Sequence, residues 1–481
     1  MKDKLSLGDL RAAVSACVIS GDLSKNRSVE RVSIDSRTLA AGDFFIAVKG
    51  KKFDGADFLS EAEAKGALGA LVAQGCSWRP KHSGFVLLSC DDTVRGLGKI
   101  AKHWRAKFSI RVIGVTGSTG KSTTKEYISH LLSHFYPVLK SQGSFNNAIG
   151  LPLTLLQLTP QSAAVVLELG TNHQGEIAEL ASIASPNAGI ITRIDPAHLS
   201  GLGTLAEIAI EKGALFRALP PEGIAVVNVD DEYVLRASNE IRLGKFTYSS
   251  RGNRADLAGE IERDQKRGYW KVYWNFAGQK RHFPHPVFGR HHAENLVAAL
   301  AVAHAIGLDP AELESISSPL PDLAHRLSIW RSKNIVLIDD CYNANPASMR
   351  AALDQLMEVR DEGSRVIAVL GTMNELGETS RQRHEEIGKF SAELSIDCLI
   401  GVGKGGEEIV SAARSARGPQ KVPLFGARAR GSSQEHFSAK DPDEAILLLE
   451  RVIDSPSTLL VKGSRSLEME KIVKSLKERY K

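Results

Sequence analysis

The chain has little of what marks several large protein classes. Its 481 residues include only five cysteines, Cys17, Cys76, Cys90, Cys341 and Cys398, which are widely spread and form no CxxC pair. This argues against a disulfide framework or a zinc module and fits reduced thiols in a cytosolic protein. No apolar run approaches the ~20 residues of a membrane span, and the segment from Met1 to Leu10 lacks the apolar core of a signal peptide. Net charge is only +5, from 61 basic and 56 acidic residues, and no polybasic run is interleaved with aromatics. Nucleic acid is therefore not an expected partner, whereas small anionic ligands are compatible. The GxGxxG fingerprint is missing, so nicotinamide binding is not indicated. What remains is 43% hydrophobic and 24% charged residues, an ordinary globular composition. At ~150 residues per domain, the length suggests roughly three domains.

The most informative stretch runs from Gly114 to Lys125 and contains Thr116, Gly117, Ser118, Thr119, Gly120, Lys121 and Ser122. It follows the β-branched run Ile110 to Val115 and leads into Tyr127, Ile128, Leu131, Leu132 and Phe135 at helical spacing. The pattern is strand, glycine loop, helix. Backbone N–H groups at such a helix start converge on a phosphate, and the helix dipole favours its charge. Lys121 supplies a point charge for terminal phosphates, and Ser122 a hydroxyl for phosphate-bound Mg²⁺. The strict P-loop spacing needs glycine at 115, where this chain has valine.

The rest of the chain reads as α/β in three parts: a small N-terminal unit over residues 1–106, a central nucleotide-binding parallel-sheet domain over 107–317, and a Rossmann-like C-terminal domain over 318–481. In the first, alternation over Phe44 to Val48 suggests a strand, and Asp35-Ser36-Arg37 forms a polar cluster near a strand end, suited either to an anionic ligand or to a solvated turn. In the second, the apolar run Ala163 to Leu167 ends on Glu168, placed to face the crevice of an open sheet and to ligate Mg²⁺. A further strand, Ala188 to Ile194, runs into Asp195-Pro-Ala-His198, and Lys212 lies on an amphipathic helical pattern where it reads as a surface residue. Alternating aromatics (Tyr269, Trp270, Tyr273, Trp274) suggest an antiparallel excursion, and His291 and His292 read as helix-start polarity. In the third, strands are expected near 334–340, 365–371, 397–403 and 457–463, alternating with helices and implying right-handed crossovers. Their C-terminal loops carry Asp339-Asp340, Asn343-Ala-Asn345-Pro346 and Lys462-Gly-Ser464-Arg465. The loop 427–433 is the expected mobile stretch.

Taken together and in order, these motifs resemble the Mur ligases of bacterial cell-wall synthesis over nearly the whole chain. Thr116-Gly-Ser-Thr-Gly-Lys-Ser122 matches that family's phosphate loop, which accounts for Val115. Asn146-Asn147, Glu168-Leu-Gly170, Ala197-His198, Lys212, Asn295, Arg326 and Asp340 fall in the family's order. The Tyr342-Asn-Ala-Asn-Pro346 loop marks the branch that joins D-alanyl-D-alanine to UDP-N-acetylmuramoyl-tripeptide. The resemblance implies ATP and Mg²⁺ as cofactors and an acyl phosphate intermediate. It also implies phosphate binding by Gly117 to Ser122, one Mg²⁺ on Ser122 and Glu168, and a second on His198 and a carbamate of Lys212. Asn295 would contact adenine, Arg326 and Asp340 the ATP from the C-terminal side, Ser36 and Arg37 the UDP moiety, and Asn343 and Asn345 the dipeptide. A cytosolic monomer that closes its domains around ATP is expected. The competing readings are another Mur or folylpolyglutamate-type ligase and a nucleotide-binding regulatory protein without ligase activity. The chain also departs from the branch pattern, carrying Arg193 and Asp195 in place of Asn and Gly, Ala214 in place of Glu, Thr372 in place of Asp, and Ala56 in place of His.

Overall fold

The structure is a computed structural model that describes residues 4–196, 199–264, 269–417, 434–453 and 456–481. It contains three sheets in chain order, of five, nine and six strands among the described residues. His198 and the loop 427–433 lie outside the described residues.

The first sheet orders its strands Cys17–Ser20, Val86–Cys90, Gly69–Ala73, Phe44–Ile46, Val32–Ser33, parallel except for Cys17–Ser20. The alternation read over Phe44 to Val48 does not correspond to two differing faces, because Phe44, Phe45 and Ile46 are all buried. Parallel strands are covered on both sides, so their burial need not alternate. Helix Thr93–Arg105, N-capped by Asp92, joins this sheet to the next. Its buried Leu97, Ile100, Ala101 and Trp104 belong to one apolar cluster that also holds Val86 of the first sheet and Val165 of the second. The junction near residue 106 is thus packed.

In the second sheet the parallel strands Arg111–Thr116, Ala164–Glu168, Ala188–Ile191 and Ile224–Asn228 lie side by side between Gly244–Ser249 and the edge strand Val138–Lys140, with their apolar residues covered on both faces. The aromatic excursion forms an antiparallel ladder, Leu257–Asp264 against Tyr269–Phe276 and then Gln279–His282. Trp270 and Trp274 point inward under the apolar helix Arg290–Ala305. The third sheet orders Ser328–Arg331, Ile335–Asp339, Ser457–Lys462, Arg365–Gly371, Cys398–Val402, Glu435–Ala439. Its four inner strands are those expected from the sequence. The two edge strands are short and only partly buried, so they carry no apolar run in the sequence. All described helices fall short of a membrane span in length and apolarity.

Candidate active site

The C-terminal ends of the second and third sheets face a common cleft of ≈ 1040 Å³. The second sheet contributes the phosphate loop, entered from strand Arg111–Thr116 and left through helix Lys121–Ser133. Two glycines shape it. Gly117 sits at φ +148, and a Cβ there would lie 2.0 Å from Thr192 Oγ1. Gly120 caps the helix at φ +80, with Asn295 Oδ1 only 2.4 Å from where its Cβ would stand. Side chains at these positions would push the loop off the helix start and spoil the convergence of N–H groups that an anion needs.

Ser118, Thr119, Gly120, Lys121 and Ser122 line the cleft. Thr116 does not, because its side chain is fully buried and its hydroxyl donates to Leu169 O at 2.8 Å. Lys121 folds its ammonium back to donate to Gly117 O (2.8 Å) and Ser118 O (3.2 Å). Burial lowers its pKa most, Glu168 and Glu375 oppose that shift, and Arg326 adds to it.

Glu168 is 2% exposed at the tip of its strand. Its Oε1 accepts from Asn146 Nδ2 at 2.9 Å, while Oε2 is buried without a hydrogen-bond partner among the described residues. A carboxylate oxygen left unpaired in a dry site is costly. It is the hard donor that Mg²⁺ prefers, so the residues present fit that ion. Lys212 is not a surface residue. It is 1% exposed on helix Leu205–Arg217, with no hydrogen-bond partner for its ammonium among the described residues. Burial, and then Lys121, push its pKa well below the ordinary lysine value, with Glu211 opposing. That favours a neutral, nucleophilic amine, the form that reacts with CO₂.

The third sheet faces this cradle with Arg326, Asp340, Tyr342, Asn343, Asn345, Lys462 and Arg465. Arg326 Nη2 donates to Ser122 Oγ at 2.9 Å and its guanidinium lies 4.0 Å from the Tyr342 ring centroid. Asp340 is paired with buried Lys462 at 2.6 Å. Asn345 spends its side-chain oxygen as N-cap of helix Pro346–Val359, accepting from Ser348 N at 2.8 Å, and Asn343 Oδ1 accepts from Ala344 N at 2.9 Å. Asn295 also lines the cleft, its Oδ1 accepting from Thr124 Oγ1 at 3.4 Å.

Ser36 and Arg37 are not brought into this cleft. Ser36 Oγ donates to Glu61 Oε2 at 2.8 Å, and the exposed Arg37 forks onto both oxygens of Asp35, whose carboxyl is thereby held down at about 2. Lys462 and Arg465 stand in a strand-end polar cluster of the kind that marks the ligand-facing edge, while Asp340 and Arg326 carry an ATP role only through the family resemblance, and Asn146 has no local signal that ties it to Glu168. The substituted Thr372 has a local use, since its hydroxyl accepts from Gly405 N at 3.0 Å at the start of helix Gly403–Arg417.

Comparison with known proteins shows what the chain as a whole is similar to. Three family models match: "Mur ligase family, catalytic domain" over residues 28–77, "Mur ligase middle domain" over 115–303 and "Mur ligase, glutamate ligase domain" over 325–465. UDP-N-acetylmuramoyl-tripeptide--D-alanyl-D-alanine ligase of Synechocystis sp. is 33% identical, covering 99% of this chain and 98% of that one. The enzyme of that name from Escherichia coli is 34% identical, covering 96% and 97%. Among solved structures, MurF from Acinetobacter baumannii superposes with a TM-score of 0.83 at 28% identity, over 99% of each chain. MurF from Thermotoga maritima in complex with ADP gives 0.76 at 26%, over 93% and 98%. The chain belongs to the Mur ligase family, a class of ATP-dependent, ADP-forming ligases. Within it, the chain groups with the UDP-N-acetylmuramoyl-tripeptide--D-alanyl-D-alanine ligases.

Proposed function

We propose that this cleft joins the terminal carboxylate of UDP-N-acetylmuramoyl-tripeptide to the amine of D-alanyl-D-alanine at the expense of ATP, completing the UDP-linked pentapeptide in the cytoplasm. The observation that carries the reading is the bond from Arg326 to Ser122, by which the third sheet reaches the phosphate loop of the second. A loop alone would bind a nucleotide. A loop facing a second polar wall can also hold the carboxylate and the amine that the nucleotide is to join.

In the first step an oxygen of the tripeptide carboxylate attacks the γ-phosphorus of ATP, the bond to the bridging oxygen breaks, and ADP leaves. In the second, the deprotonated dipeptide amine attacks the acyl carbon. Phosphate departs with the former carboxylate oxygen, and the new amide sheds one proton. Such transfers depend on positioning and charge neutralisation more than on covalent help from the protein. Gly117 to Lys121 cradle the phosphates, with Lys121 moving from its loop carbonyls to the γ-phosphate. Arg326 meets the same phosphates from the opposite wall. Asn295 faces the adenine, Asp340 the nucleotide from the third sheet, and Asn343 and Asn345 the dipeptide. Ser122 and Glu168 would hold one Mg²⁺, and His198 with a carbamate on Lys212 a second. Bound there, Mg²⁺ would neutralise charge on the transferring phosphoryl group.

The tripeptide substrate is long, and its UDP end belongs to the first sheet, where Ser36 and Arg37 remain the candidates. Each of the three units, 1–106, 107–317 and 318–481, thus carries one part of the task in a monomer. The test is a substrate panel. Purified protein with ATP and the UDP-linked tripeptide is offered D-alanyl-D-alanine, D-glutamate, L-glutamate or a diamino acid, with nucleotide products followed by mass. The reading requires a product heavier by one D-alanyl-D-alanine residue pair; a product carrying a single amino acid overturns it.

A further inference from the structure

Two of the departures from the branch pattern touch each other beside the phosphate loop. Arg193 Nε donates to Asp195 Oδ1 at 3.0 Å, and Thr119 of the loop donates its hydroxyl to Asp195 Oδ2 at 2.9 Å. The backbone joins in. Ser118 N–H donates to Arg193 O at 2.7 Å, and Ser118 Oγ to Asp195 O at 2.8 Å. Asp195 is nearly buried, its side chain 11% exposed, whereas the Arg193 side chain is 47% exposed and lines the cleft.

A carboxylate next to a phosphate cradle, standing alone, would repel the nucleotide. Here both its oxygens are occupied, one by a loop hydroxyl and the other by a cation. That cation is anchored through Nε alone, and no hydrogen bond is recorded for its two terminal nitrogens among the described residues. A guanidinium fixed at one edge, with a free fork of N–H donors at the mouth of an anion site, is arranged for charge-assisted contact with phosphate oxygens. We propose that Arg193, oriented by Asp195, is a nucleotide-binding residue that contacts the phosphates of ATP or ADP, and that Asp195 is a positioning residue coupling this arginine to the loop through Thr119. The pair sets a cation and its brace beside the loop, adding an attractive charge without leaving a bare repulsive one.

The proposal rests on the phosphate-loop reading, and the test separates the two. ADP affinity is measured calorimetrically for wild type, Lys121→Ala, Arg193→Ala and the double variant Arg193→Ala/Asp195→Asn, and ATP kinetics for the same proteins. Wild type binding ADP, with loss of affinity in Lys121→Ala, secures the loop itself; failure of either defeats that reading and this one with it. Given a sound loop, Arg193→Ala is expected to weaken ADP by about tenfold, the scale of one charge-assisted hydrogen bond, and to raise KM for ATP more than it lowers kcat. The double variant, freed of the unpaired carboxylate, is expected to remain weaker than wild type. ADP affinity within twofold of wild type in Arg193→Ala overturns the proposal. So does full recovery in the double variant, which would reduce Arg193 to a counter-ion for Asp195.

Discussion

Two polar clusters at the ends of sheet strands differ in how far they satisfy themselves. Asp35-Ser36-Arg37 closes on itself: Arg37 is forked onto Asp35, Ser36 bonds Glu61, and Lys65 donates to the carbonyls of Ser36 (2.8 Å) and Arg37 (3.1 Å). The cluster around the phosphate loop does not close. Among the described residues, Glu168 keeps a buried oxygen and Lys212 a buried amine without a partner, and Lys121 rests on loop carbonyls. Groups of the first kind are already stabilised and can add binding energy to a substrate. Those of the second bear a desolvation cost that a ligand can relieve, which is the arrangement expected where charge is moved.

The sharpest way to break this contrast is Lys121→Ala. Loss of one preorganised charge is expected to lower kcat by about 10² to 10³, measured as phosphate release at saturating substrates. A near-normal rate would remove the loop from the chemistry. Next, Lys212→Ala is expected to lose about 10²-fold in kcat, again the scale of one preorganised group, and to regain activity when a short carboxylic acid is added to replace the carbamate oxygens. Full activity without the acid would show that this buried amine serves packing alone. A smaller effect is expected on the self-satisfied side. Arg37→Ala should raise KM for the UDP-linked tripeptide about tenfold, with kcat changed by less than about twofold, as for the loss of a charged hydrogen bond made equally in ground and transition states. A large fall in kcat would erase the distinction between the two clusters. Smallest is Asn345→Ala, which removes the N-cap of helix Pro346–Val359 and should cost about 1 kcal/mol in denaturant unfolding, with Asn345→Asp retaining most of it. An unchanged midpoint would mean that the side chain is free for the dipeptide.

Much of this was legible in the sequence, for physical reasons that can be named. The phosphate loop was readable because strand, glycines, lysine and helix are contiguous, and the inner strands of the third sheet because apolar β-branched runs such as Ile335–Asp339 are buried on both sides. Edge strands such as Glu435–Ala439, partly exposed, were not. Lys212 illustrates another limit. Its helix is amphipathic by pattern, yet the polar positions Glu211 and Lys212 turn toward the interior, where Glu211 accepts from Thr171 Oγ1 and from the N–H groups of Gly175 and Ile177. Periodicity places a residue on a face but does not say what waits opposite. The bond from Arg326 to Ser122 spans 204 residues of sequence and has no local signature at all. Nor does a pair such as Arg193 and Asp195 announce itself, since each reads singly as a departure and only the fold shows them to be joined.

The most direct test of the account is the fate of the carboxylate oxygen. UDP-linked tripeptide labelled with ¹⁸O in its terminal carboxylate is turned over with ATP and D-alanyl-D-alanine, and the released phosphate is analysed by mass. Transfer of the γ-phosphoryl group to that carboxylate predicts one ¹⁸O atom in each phosphate formed from fully labelled substrate. Unlabelled phosphate accompanying amide formation would contradict it, because the carboxylate would then have been activated by some route other than the phosphate loop.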